Sequence, residues 1–218
     1  MMAFMLRILA FEAMLAAILF LAAGRRDLPW FWAVLAVHTS LMTVAMSAID
    51  PDLRRERIKP GPGGKDRYLR LIAMPFLLAH LIVAGLDVGR FQWSRPVPAG
   101  VQAVALLGYA AGMALSVYAM ASNRFFSPVV RIQHERGHTL VTSGPYRFVR
   151  HPGYVGAILA SACGGVALGS WWSLVPLAPF AVLFLRRTAV EDRMLRADLD
   201  GYAGYAERVR YRLVPGLW

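Results

Sequence analysis

The chain has 218 residues, is 57% hydrophobic and only 17% charged, and has a mean hydropathy of +0.47. A water-soluble domain carries roughly 25% charge, and the apolar residues here run in long blocks, so a soluble globular protein is excluded. The net charge of +11 would point to nucleic acid in a soluble chain, but Lys and Arg gather in the loops between apolar blocks, the pattern of an integral membrane protein without a nucleic-acid partner.

Residues 3–23 form the first apolar block, with Arg7 and Glu12 as its charges. Ala22-Ala23-Gly24 resembles a cleavage site, but several further spans follow, and the block reads as a retained first helix. Its charges lie in the first half, where a long side chain reaches the interface or a bundle neighbour. Pro29, Trp30 and Trp32 open a second span that runs to Ile49 and stops at Asp50-Pro51. Residues 52–67 then read as a basic juxtamembrane turn with a Pro/Gly-rich centre, on the cytoplasmic side. No strand precedes its glycines and no Gly-Lys-Ser/Thr follows them, so it is not a nucleotide loop.

Residues 68–88 and 98–121 predict a third and a fourth span. Residues 122–151 form the longest polar segment. Residues 153–187 are apolar apart from the turn at Gly169-Ser170. About 35 residues at 1.5 Å each suffice for two short or tilted spans, so they predict a helical hairpin with Trp171 and Trp172 at the far interface. Cys163 inside it leaves no disulfide framework or cysteine metal site and reads as a small buried hydrophobe. From Arg186 to Trp218 the chain predicts a helical tail leaving the membrane, with Leu195 and Leu199 towards the bundle. The fold class is therefore all-α, a polytopic transmembrane bundle of about six spans. Residues 1–121 supply four helices, and residues 122–218 supply the cytoplasmic loop, the hairpin and the tail.

With the N-terminus inside, the segments 50–67, 122–151 and 186–218 hold 6, 5 and 7 Lys/Arg, whereas the outer loops hold only Arg25, Arg26, Arg90 and Arg95. This asymmetry predicts cytoplasmic N- and C-termini and puts every candidate segment on one side. Alanine- and arginine-rich usage suggests a bacterial inner membrane.

His134-Glu135-Arg136-Gly137-His138 matches the zinc-protease pattern H-E-x-x-H, whose chemistry needs both histidines on one helical face. The flanks Val129 to Ile132 and Thr139 to Thr142 are β-branched and partly alternating, and Gly137 stands where a helix needs a good former. The segment predicts a small β-hairpin turning at Arg136-Gly137, and no metal site. A stronger constellation is Arg150, His151, Tyr154 and Glu191. It reads either as a polar pocket at the cytoplasmic end of the last hairpin, with Arg150 and His151 receiving a carboxylate or phosphate, or as a basic and aromatic interface anchor.

Gly144-Pro145-Tyr146-Arg147-Phe148-Val149-Arg150-His151-Pro152-Gly153-Tyr154-Val155-Gly156 closely resembles the signature of the isoprenylcysteine carboxyl methyltransferase and phospholipid methyltransferase group. The pair Glu191-Asp192 with Leu195, the Tyr202-x-x-Tyr205 spacing and the ending Tyr211 to Pro215 agree, as do Asn123, Phe125, Phe126, Ser127, Arg131 to Gln133 and Glu135 to His138. The resemblance covers about residues 120–218 and, more loosely, Arg54 to Gly61. Asp192 departs from the glutamate usual in that group. The resemblance implies an integral membrane enzyme that uses S-adenosylmethionine, with His151, Tyr154 and Glu191 in the cofactor pocket. Arg150, Tyr146 and Arg147 would support that pocket, and Tyr202 and Tyr205 would shape its lid. Glu191, Arg187 and Asn123 would serve the acceptor chemistry. The acceptor is expected to be lipid-like: a prenyl-type carboxylate or, alternatively, a phospholipid amine. A NADPH-dependent reductase of the sterol-reductase type shares part of the C-terminal likeness, and a non-enzymatic membrane scaffold is the remaining reading.

Overall fold

The computed structural model describes residues 2–66 and 68–218. Arg67, assigned above to the basic turn, lies outside the described residues. The helices are α1 (Met2–Ala23), α2 (Pro29–Ala48), α3 (Pro51–Ile58), α4 (Leu69–Gly85), α5 (Ala99–Ser122), α6 (Pro152–Ala167), α7 (Leu177–Asp198) and α8 (Tyr202–Arg208). Among the described residues, five stretches are long and apolar enough to cross a membrane: Leu6–Ala23, Pro29–Ala48, Leu71–Phe91, Ala99–Ser122 and Trp172–Asp198. The predicted sixth, α6, has 16 residues and is shorter than the other five. The protein is thus an integral membrane helical bundle with five long spans and a short sixth arm.

Two expectations fail for local reasons. Asp50 and Pro51 do more than stop α2. The Asp50 carboxylate accepts from the N–H groups of Asp52 and Leu53, and Pro51 supplies the first-turn residue that needs no donor, so the basic turn opens with a helix. The hairpin expected around Arg136-Gly137 turns there but forms no strands among the described residues. His134–Arg136 is a single 3-10 turn closed by Gly137 at φ 61°, and Val130 bonds through its backbone to Lys65 and Asp66 of the α3–α4 loop.

The bundle is pinned at both ends and in the middle. At the end away from the basic loops, α4 widens into a π-helical turn, Leu86–Phe91, that carries Asp87 fully buried. Its carboxylate accepts from Ser94 N–H at 2.7 Å and from the hydroxyls of Ser94 and Ser170, each at 2.5 Å. These bonds join the α4–α5 and α6–α7 connections. Arg90 donates to the carbonyls of Ala22 (2.7 Å) and Leu21 (2.9 Å), satisfying two orphan acceptors at the end of α1. Between them lies an apolar core of Leu19, Phe31, Leu35, Ala84, Ala105 and Leu168. Within the membrane-spanning region, Glu12 of α1 meets His38 Nδ1 of α2 at 2.7 Å, as expected of a charge turned to a bundle neighbour.

Helices α5 and α6 cross closely through small residues. A Cβ on Gly112 would lie 2.6 Å from the Ala160 nitrogen, and one on Gly156 would lie 2.5 Å from the Gly112 carbonyl oxygen. Only glycine permits that approach, which replaces the hydrophobic driving force unavailable in lipid with close backbone packing. The crossing also fixes the start of α6, and with it His151 and Tyr154.

Candidate active site

The chain enters α6 through a 3-10 turn, Gly144–Arg147, with Pro152 in the first helical turn. The N–H groups of Arg150 and His151 donate to the carbonyls of Tyr211 and Arg212 (3.0 and 2.9 Å), which lashes the tail across this entry. Behind it, α7 passes with Arg187 one turn before the adjacent Glu191 and Asp192, and α8 adds Tyr202 and Tyr205. Together they surround a cleft of about 680 Å³, its open side included. Asn123, Tyr146, Arg150, His151, Tyr154, Glu191, Tyr202 and Tyr205 all line it, together with Phe125, Arg131, His138 and Leu140.

Asp192 organises one wall. It is fully buried and accepts from Arg150 Nε at 2.7 Å, Arg212 Nε at 2.9 Å and Tyr202 Oη at 2.9 Å, while His151 Nε2 lies 3.5 Å away. Arg150 spends its other donors on tail carbonyls, those of Val209 at 2.7 Å and Arg210 at 2.8 Å. Its guanidinium therefore acts chiefly as a lock between α7 and the tail, with few N–H groups left for a ligand. The aspartate in place of the usual glutamate is thus the buried counterion of that lock.

The opposite wall is a relay. Arg187 is buried and donates through Nε to Tyr154 Oη at 2.6 Å, and Tyr154 in turn donates to Glu191 Oε2. The Tyr154 ring stacks on the His151 imidazole, with centroids 5.7 Å apart and planes 9° apart. Arg187 itself stands just behind the cleft. Asn123 accepts from Phe125 N–H and donates to Tyr146 Oη at 3.3 Å, so it holds the 3-10 turn against α5. Burial pushes the phenols of Tyr146, Tyr202 and Tyr205 above their usual range, with the Asp192 charge adding to the effect at Tyr202. All three remain neutral hydrogen-bond donors. Arg147 is exposed and stands outside the cleft.

The polar loop supplies the third wall. Arg131 grips Glu56 of α3 in a two-pronged pair (Nε to Oε1 3.0 Å, Nη2 to Oε2 2.9 Å) and also reaches Glu135. Burial alone would raise the Glu56 carboxyl, but the bonds from Arg131 and Ser127 outweigh it and hold Glu56 below the usual range. His138 stacks on Phe125 with centroids 4.5 Å apart. Burial, helped by the Arg136 charge, pushes its pKa down to about 4. Among the described residues there is no group of three or more His, Cys, Asp or Glu side chains placed to hold a metal ion.

The residue pattern brought Arg150, His151, Tyr154 and Glu191 into view, and the family resemblance added Asn123, Tyr146, Tyr202 and Tyr205. The sequence reading did not pair Asp66 with Arg187, Glu56 with Arg131 or Phe125 with His138. For Asp66 the one available signal was an acidic residue just after the Gly/Pro-rich centre of a basic turn.

Residues 103–197, which include α6 and most of these walls, match the model of the isoprenylcysteine carboxyl methyltransferase (ICMT) family. The chain is 34% identical over 92 residues to a probable protein-S-isoprenylcysteine O-methyltransferase of Oryza sativa subsp. indica, covering 41% of this chain and 48% of that protein. It is 35% identical over 95 residues to protein-S-isoprenylcysteine O-methyltransferase A of Arabidopsis thaliana, covering 41% and 47%. It is also 37% identical over 78 residues to the cobalt-zinc-cadmium resistance protein CzcN of Cupriavidus metallidurans, covering 35% and 36%. The chain thus spans about half the length of the curated relatives it matches.

Proposed function

We propose, from the premise that residues 103–197 form an isoprenylcysteine carboxyl methyltransferase region, that the protein transfers a methyl group from S-adenosylmethionine to a lipid-like carboxylate. The observation that carries this reading is the aromatic cleft with one carboxylate, Glu191, at the basic end of the bundle. Its donor set fits the cofactor: tyrosine and histidine faces suit a sulfonium cation and an adenine ring, and Glu191 suits a ribose hydroxyl or an amine. When bound, S-adenosylmethionine supplies a methyl group on a positively charged sulfur that leaves as a neutral thioether.

What the protein must then do is hold two reactants in line. His151, Tyr154, Tyr146, Tyr202, Tyr205 and Glu191 receive the cofactor, and Arg150 fixes the wall on which His151 stands. Arg187 stands just behind the cleft and donates to the Tyr154 hydroxyl that lines it, so a positive charge backs the wall where an acceptor carboxylate would sit. This favours a carboxylate acceptor over an amine. A carboxylate acceptor needs no general base, so catalysis rests on positioning and exclusion of water. Asn123 contributes by keeping Tyr146 and the 3-10 turn in register. The cofactor enters from the cytoplasm and the acceptor from the bilayer.

The test is calorimetric titration of the detergent-solubilised protein with S-adenosylhomocysteine, with NADPH run in parallel. Saturable binding of S-adenosylhomocysteine alone, followed by methyl transfer to a prenylcysteine analogue in preference to phosphatidylethanolamine, is the expected result. Binding of NADPH alone would instead assign a reductase.

A further inference from the structure

Arg187 is fixed from behind by a residue far away in the chain. Its Nη1 pairs with Asp66, 121 positions earlier, and its Nη2 donates to the Pro128 carbonyl at 3.0 Å. Asp66 uses its second oxygen to accept from Val130 N–H at 2.6 Å, and the adjacent Lys65 N–H donates to the Val130 carbonyl at 3.1 Å. The loop between α3 and α4 is therefore bonded to the cleft loop on one side and to the buried guanidinium on the other. Its glycines make room for that contact: a Cβ on Gly64 would lie 2.1 Å from Val129 Cγ1, and one on Gly61 would lie 2.5 Å from Arg131 Nη2.

We propose that Asp66 is a positioning residue for the transfer reaction, holding Arg187 so that its Nε aims at Tyr154 and its positive charge stays behind the Tyr154 wall of the cleft. The inference rests on the methyltransferase reading of that cleft. The order of bonds is continuous: Asp66 to Arg187, Arg187 to Tyr154, Tyr154 to Glu191. Without the Asp66 carboxylate, Arg187 keeps only a neutral carbonyl and a phenol as partners, and a buried arginine so placed turns elsewhere for a counterion. Tyr154 would still stack on His151 and bond Glu191, so the cofactor wall stays in place. The defect belongs to acceptor placement.

The experiment compares wild type, Asp66→Asn, Asp66→Glu and Glu135→Gln in detergent, measuring S-adenosylhomocysteine affinity, kcat and acceptor KM. Glu135 breaks an ion pair in the same region without touching Arg187, and so controls for loop integrity. Asp66→Asn is expected to bind S-adenosylhomocysteine within about 3-fold of wild type while kcat falls roughly 10-fold or more and acceptor KM rises, the scale of loss from a misplaced reactant. Asp66→Glu is expected to recover part of the rate, and Glu135→Gln to match wild type. A kcat for Asp66→Asn within about 2-fold of wild type overturns the inference, as does an equal loss in Glu135→Gln. If Asp66→Asn does not fold, the double variant Asp66→Asn with Arg187→Met removes the stranded charge. It is then expected to lose no more rate than Arg187→Met alone, and a larger loss overturns the relay. Failure of wild type to bind S-adenosylhomocysteine would strike the methyltransferase reading instead, and is read before any variant is compared.

Discussion

Asp192 is the residue whose loss strands the most charge. Its carboxylate answers Arg150 and Arg212 and takes the Tyr202 hydroxyl, all at a fully buried position. Replacing one partner of a buried pair leaves the other uncompensated, at about 3–5 kcal/mol. Asp192→Ala is therefore expected to lower the unfolding temperature in detergent strongly, and to free the tail for proteolysis after Arg208 or Arg210. Wild-type melting and protection would remove the lock from the account. His138 gives a prediction of opposite character. Its pKa of about 4 in the fold lies below the unfolded value of about 6.5, so the unfolded chain takes up the proton first as pH falls. Its contribution to stability is present above pH 6.5 and is lost between about 6.5 and 4, on the order of 1 kcal/mol by pH 5. Denaturant titrations at pH 7 and pH 5 should show that drop in wild type and a smaller one in His138→Gln. How much of the site can be read in the sequence follows from separation along the chain. Arg150, His151 and Tyr154 are near neighbours and Glu191 falls on the return arm of the hairpin, whereas Tyr146, Tyr202 and Tyr205 come into the pocket only through the family resemblance. Asp66 and Glu56 meet Arg187 and Arg131 across 121 and 75 positions, and no local pattern records such a pairing.

At the scale of elements, the crossing of α5 and α6 carries the site, because it sets where α6 begins. Gly156→Leu would drive a side chain into the Gly112 carbonyl and Ser116, which stand 2.5 and 2.4 Å from its Cβ position. Overpacking of a tight contact costs about 1–3 kcal/mol and shifts backbone, so this variant is expected to lose S-adenosylhomocysteine affinity even where it remains folded. An unaltered affinity would detach the helix crossing from the cleft. Hydrophobic periodicity gave the long helices correctly, since a lipid-facing span has few ways to read otherwise. It gave the segment 129–142 as strands because Val, Ile and Thr favour extended backbone in any context. Here the backbone of Val130 bonds to Asp66 and Lys65 of the α3–α4 loop, and the Arg131 side chain reaches Glu56 of α3, so the segment pairs with a loop and a helix and not with itself.

For the whole molecule, every basic loop gathers at the end where α3, the cleft and α8 lie, and the Asp87 knot closes the other end. The positive-inside rule then predicts that the cleft faces the cytoplasm. In a Cys163→Ala background, a cysteine at Arg208 is expected to react with a membrane-impermeant maleimide only in inside-out vesicles, and one at Trp93 only in right-side-out vesicles. Reversed labelling would invert the topology and with it the cofactor's route.

The shortness of α6 has a consequence for where the protein can work. Its 16 residues extend about 24 Å, against a hydrocarbon thickness of about 30 Å. A short arm beside longer spans predicts local thinning of the bilayer next to the cleft. If the protein methylates a lipid-like acceptor as proposed, such thinning would bring the acceptor's headgroup nearer the cleft. Turnover is then expected to respond to acyl-chain length, faster in thin bilayers and slower in thick or sterol-stiffened ones, and an unchanged rate would detach the short arm from acceptor delivery.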